Sequence, residues 1–176
     1  MSAMDPTTAD LRLVTRKHAP GPGAGSLLLA AAATGTIAHA AATAALAALA
    51  RGEGRGLLQP VNATSHFVHG PEAGQVRDAD LAHTAVGVAT NHAAAIFWAL
   101  PMTLWLARRH RRSPAEVATA AAVTAGVAAA VDYGLVPRRL TPGWEHAVSP
   151  RSVAATFGVL GLGLAAGAWI TRGLRR

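Results

Sequence analysis

Residues 81–131 read LAHTAVGVATNHAAAIFWALPMTLWLA (81–107), RRHRR (108–112) and SPAEVATAAAVTAGVAAAV (113–131). The first segment carries no charged residue, and the last carries none after Glu116. About 20 apolar residues cross the roughly 30 Å hydrocarbon core of a bilayer. The first segment is long enough to do so, and the last nearly so. The basic hinge Arg108-Arg109-His110-Arg111-Arg112 fixes the threading, because clustered arginine beside a span stays on the cytoplasmic side.

Working outward, two more apolar runs flank this pair. The expected spans are about 26–50, 81–107, 114–134 and 150–171. The fold class is then all-α: an integral membrane four-helix antiparallel bundle over residues 26–172, preceded by a cytoplasmic tail at 1–25. That tail is Pro/Gly-punctuated (Ala19-Pro20-Gly21-Pro22-Gly23) and is expected to be disordered. Its basic residues, then Leu27-Leu28-Leu29, imitate a secretory signal. The apolar run continues too far for one, so an uncleaved first span is expected.

Composition agrees. Charged residues are 14% of the 176-residue chain, against about 25% in soluble domains. The mean hydropathy of +0.28 is modest because alanine is nearly neutral toward lipid. A soluble alanine-rich bundle would need a polar face every 3.6 residues. Residues 26–50 offer only Ser26, Thr34, Thr36, His39 and Thr43 for one. There is no cysteine, which excludes disulfides, thiolate metal sites and cysteine nucleophiles.

The net charge of +7 could signal nucleic acid, but its placement points to a membrane. Arg12, Arg16, Lys17, the four hinge arginines, Arg172, Arg175 and Arg176 share one side with Asp5, Asp10 and Glu116. The other side balances six arginines against six carboxylates, so one face carries the whole excess. The positive-inside rule makes that face cytoplasmic, with both termini on it. The expected partners are the bilayer and anionic lipid headgroups at the basic face, not nucleic acid.

Local signals refine the spans. Ser113-Pro114-Ala115-Glu116 is a capping box with proline at the first helical position. Ser149-Pro150 repeats the cap-then-proline start. Pro101 should loosen the second span. Pro142-Gly143 marks a turn. Leu57–His69 is moderately apolar and is expected to form a short helix lying at the interface. Four-residue stripes of small residues offer close helix contact: Gly35, His39, Thr43 and Ala47; Ala118, Ala122, Gly126 and Ala130; Ala155, Val159, Gly163 and Gly167. The last includes a GxxxG, through which a homodimer could form. Such faces leave little reason for a large cavity.

Chemistry-bearing residues are few. His39 and His92 each lie 11 residues from the outer end of their span, about 16 Å deep at 1.5 Å per residue. Polar groups at that depth face the bundle or a cavity. With Asn91 beside His92, and Asp132 near the outer end of span three, they are the candidates for proton or ion handling, or for a buried metal or haem. The plainer alternative is interhelical hydrogen bonding. His66, His69 and His83 are a second candidate set, for zinc or copper. The plainer alternative there is a polar cap. Asp132-Tyr133 with Arg138-Arg139 suggests a local ion pair. Neither HExxH nor G-x-S-x-G occurs, so metalloprotease and hydrolase templates fail. No cofactor is indicated, and enzyme activity is not expected.

Asn62-Ala63-Thr64-Ser65-His66, the His92–Trp98 stretch, and Asp132-Tyr133 with Pro137, Arg139, Thr141-Pro142-Gly143 and Glu145 form a recognisable set. Over residues 30–170 they resemble a group of small uncharacterised four-span bacterial inner-membrane proteins. The resemblance implies a fold and an inner-membrane location, and no activity or functional residue. The expected function is structural or envelope-associated. The alternative is a small transporter or a proton- or metal-handling protein using His39 and His92.

Overall fold

A computed structural model describes residues 22–109 and 113–175. The expected disordered tail falls almost wholly outside them, as do His110, Arg111, Arg112 and Arg176. The described residues form helices and turns, with no strand among them. Four helices are long and apolar enough to cross a membrane. They are α1 (Ala24–Gly52), α4 (Val86–Ala107, entered through a π-turn at Leu81–Ala85), α5 (Pro114–Gly134) and α6 (Pro150–Ile170, extended by a 3-10 turn at Thr171–Arg175). Two short helices, α2 (Gln59–Ala63) and α3 (His66–His69), fold within the first long connection.

The starts of α5 and α6 follow from their caps. Ser113 Oγ accepts from the Glu116 backbone N–H while Glu116 accepts from the Ser113 N–H, so both orphan donors are satisfied. Ser149 accepts from the Ser152 N–H. Pro101 sits inside α4 without ending it.

The helices run antiparallel to their neighbours, with α1 between α4 and α6, and α5 closing against α6 and α4. Close approach sets this order. A Cβ at Gly35 would lie 2.5 Å from Ile96 Cα, so α1 and α4 touch there by backbone. Gly163 and Gly167 meet Ala38 and Thr34 of α1 in the same way. Thr34 and Thr171 share a 3.1 Å hydroxyl bond beside them. The GxxxG of α6 is therefore packed against α1 within one chain, so a homodimer would have to use another surface. The α5 stripe is also corrected. Ala118, Ala122, Gly126 and Ala130 are exposed, while Val117, Ala121, Ala125 and Ala128 are buried. In a helix that is nearly all small residues, four-residue spacing does not select a face.

The bundle has a terminal end, where the chain enters and leaves, and a loop end. At the terminal end Arg109 lies over Trp105 at 4.7 Å and Arg172 over Trp169 at 4.8 Å, as interfacial anchors do. At the loop end the long connection does not lie flat at an interface as expected. Every residue of α2 is buried. Asn62 Nδ2 donates to the carbonyls of Val76 and Asp78, and its Oδ1 accepts from Thr84. The connection is thus a plug fastened to the start of α4.

Candidate functional site

Where the plug meets the helices, a cavity of about 220 Å³ opens between α1, α4 and α6. The cavity is small, in keeping with small-residue faces that leave little reason for a large one. The helices are pressed together at Gly35, Gly163 and Gly167, and part beyond them. His39, Thr43, Asn91 and Asp132 lie in its wall. Three of the four residues expected to handle ions or protons thus meet at one place, and His92 adjoins it. Thr64 and Phe67 of the first connection and Leu140, Thr141, Pro142 and Trp144 of the second form the lid.

The two connections interlock over the opening. Arg139 Nε donates to the Phe67 carbonyl at 3.0 Å. Gly143 adopts φ +80°, and a Cβ there would sit 2.4 Å from the Ala63 carbonyl oxygen. Glycine is needed on both counts. Glu145 accepts from Tyr133 and Thr141, fixing the second connection to α5.

The expected ion pair at Asp132 does not form. Arg139 is turned to the lid, and the Asp132 carboxylate has no hydrogen bond or ion pair among the described residues. Trp144 is 7% exposed, and its indole N–H is buried without a partner. The cavity wall thus holds a half-buried carboxylate without a protein partner and a tryptophan whose indole N–H is buried and unpartnered. Asn91 is better held, donating to Thr64 Oγ1 at 3.1 Å.

His39 and His92 stack, with ring centroids 5.1 Å apart and planes 26° from parallel. Thr36 gives its hydroxyl hydrogen to the Ala32 carbonyl at 2.8 Å. The 2.8 Å contact between Thr36 Oγ1 and His92 Nε2 is then an N–H donated by His92, which fixes its tautomer. Stacked at this distance, the rings cannot take opposite faces of a haem.

The second histidine set divides. His66 presents Nδ1 to the Ala63 carbonyl and Nε2 to the Arg138 carbonyl, each at 3.1 Å, so neither nitrogen faces a metal position. Its ring neighbour is His146, at 5.0 Å. His69 instead lies 4.4 Å from His83, whose Nδ1 bonds Asp80. That bond, and the Ala82 N–H, hold the Asp80 carboxyl below the ordinary range. Among the described residues no group of three or more His, Cys, Asp or Glu could hold a metal ion.

Sequence reasoning missed the aromatic walls. Trp98, Trp144, Phe67 and Phe157 all line the cavity, and Trp144 lies 5.4 Å from Phe157. The available signal was Pro142-Gly143, a turn that carries Trp144 back toward the bundle. Compared with known proteins, the chain matches no protein family, no curated protein and no solved structure.

Proposed function

We propose that this chain is a bacterial inner-membrane protein, with both termini cytoplasmic, that captures a small solute from the extracytoplasmic side. The observation that carries the reading is the cavity, which gathers His39, Asn91 and the unpaired Asp132 beneath a two-loop lid. A purely structural or envelope-associated role gives no reason for a carboxylate left without a partner in the wall of a cavity. An unpaired carboxylate just inside the end of a span is costly and marks a substrate or ion path. The orientation rests on the arginine excess at the terminal end, and the inner-membrane location on the resemblance in residues 30–170. Anionic headgroups are the partners of that basic face. The reading carries no catalytic step.

The absence of cysteine gives a clean test. Ala42 is buried and lines the cavity, whereas Ala38 is buried away from it. Ala42→Cys should react with a small membrane-impermeant thiol reagent in right-side-out vesicles and be silent in inside-out ones. Ala38→Cys should be silent in both. An Ala42→Cys as inert as Ala38→Cys would end the solute reading, and labelling only from the inside would reverse the orientation. The His39–His92 stack favours a second reading, proton exchange with the same cavity. In that case substituting both by Leu abolishes proton flux in proteoliposomes while the protein stays folded.

A further inference from the structure

We infer that the solute is a compact organic cation, a methylated or alkylated ammonium, with Asp132 as its counter-charge. The inference rests on the solute-capture reading and adds the chemical class of the ligand.

The cavity offers one carboxylate and aromatic walls. Asp132 is unpaired, and the walls include Trp98, Trp144, Phe67 and Phe157. An ion entering this space gives up its water and must be repaid by the wall. A metal ion needs several oxygen or nitrogen donors converging on it. No group of three or more His, Cys, Asp or Glu is present among the described residues. The rest of the wall is half apolar, and most of its polar groups are already engaged: Thr64 with Asn91, Thr43 with His39 and Thr141 with Glu145, which leaves little to repay a compact, strongly hydrated ion. An alkylated ammonium differs. Its charge is spread over methyl groups, it sheds water readily, and aromatic faces attract it through their quadrupoles. Tryptophan is the best of these, and Trp144 and Phe157 make a tilted corner with centroids 5.4 Å apart. An anion would meet Asp132 with no arginine or lysine in the cavity wall to offset it. The volume, about 220 Å³, lies below the range of about 300–1,000 Å³ typical of drug-sized ligands. Trp144 lines the cavity with its indole N–H unpartnered, and an acceptor oxygen on the ligand would satisfy that donor.

The test uses full-length protein in nanodiscs carrying Ala42→Cys. A quaternary-ammonium thiosulfonate and a sulfonate thiosulfonate of similar size are compared. Rates are normalised to Gly52→Cys, a position with nothing within 4 Å of its Cβ. The cationic reagent should react roughly tenfold faster or more, as expected for a cleft of one sign. Tetramethylammonium chloride should slow it, and sodium chloride of equal strength should not. Asp132→Asn should bring the ratio close to one. If that variant does not fold, Trp98→Leu serves instead: it should weaken tetramethylammonium protection severalfold and leave the charge ratio in place. Equal rates for the two reagents, or tetramethylammonium without effect, would overturn the cation assignment and leave solute capture standing. Failure of both reagents to react would instead remove solute capture itself.

Discussion

The two ends of the bundle are held by opposite means. Toward the terminal end α1 and α6 are zipped by Gly163 and Gly167 against Ala38 and Thr34, and the Thr34–Thr171 bond lies within the seam. At the loop end the helices part, and polar connections fill the gap through Asn62, His66, Arg139 and Glu145. Lipid gives no hydrophobic reward for helix pairing, so backbone approach must supply it. A zipped seam leaves no room for a solute. The contrast teaches that a small bundle in lipid divides its labour along its length: one end supplies cohesion and the other space.

The largest effect should come from the zipper. A Cβ at Gly167 would fall 2.8 Å from Thr34 Cα, backbone that cannot step aside without parting α1 and α6. Gly167→Val should cost about 3 kcal/mol or more, at the upper end of overpacking penalties. Gly126→Val, on the exposed α5 stripe with nothing within 4 Å, should cost well under about 1 kcal/mol. Reversible unfolding in mixed micelles measures both. Equal losses would mean that the outward stripe also packs, and the division of labour would fail.

The lid should break more gently. Gly143→Ala forces a side chain onto φ +80° and toward the Ala63 carbonyl. About 2 kcal/mol of strain is expected, confined to the loop end. Labelling of Ala42→Cys should then speed up while the global unfolding midpoint moves less than in Gly167→Val. A global collapse instead would show that the lid carries the bundle's cohesion.

The same contrast explains what could be read from sequence. The four spans were legible because charge is expelled from them, and helix starts because Ser113 and Ser149 cap prolines. His39 and Asn91 were legible as polar residues at depth, and Asp132 as a carboxylate near the outer end of its span. Their convergence was not, because it depends on which side of α1 and α4 faces inward, and an alanine helix carries almost no signal for that. The α5 stripe was misplaced for the same reason. The aromatic walls were hidden because Trp144 and Phe67 reach the cavity only after two connections fold back over it.

Two unpartnered buried groups sharpen the comparison further. Thr103 Oγ1 lies in the packed part of α4, and the other, the indole N–H, belongs to Trp144, which lines the cavity. Deleting an unsatisfied donor without changing shape is neutral or stabilising. Thr103→Val should therefore gain about 1 kcal/mol under all conditions. Trp144→Phe also removes buried ring from the core and should cost about 1–2 kcal/mol in ligand-free protein. Thermal unfolding with and without an oxygen-bearing quaternary ammonium probe separates them, since only Trp144→Phe should lose protection. Equal protection in both variants would make the indole a packing group and nothing more.

The smallest effect concerns Glu53, where the loop end borrows a fastening of its own. Its carboxylate accepts from the hydroxyls of Ser152 and Ser149 and from the Ser149 N–H, tying the end of α1 to the start of α6. The Ser152 hydroxyl, then that of Ser149, hold it below the ordinary glutamate range. A carboxyl depressed in the folded state contributes fully above its unfolded value, about 4.3. It loses that contribution as pH falls through the lower folded value. Glu53 is an exposed group, so the effect is small and screened by salt. Other carboxylates titrate nearby, so the informative quantity is a difference. Wild type should exceed Glu53→Gln in stability at neutral pH, and the gap should close as the medium is acidified below about pH 4. A gap that persists in acid would mean that geometry, rather than charge, joins the two helices at the end where the cavity opens.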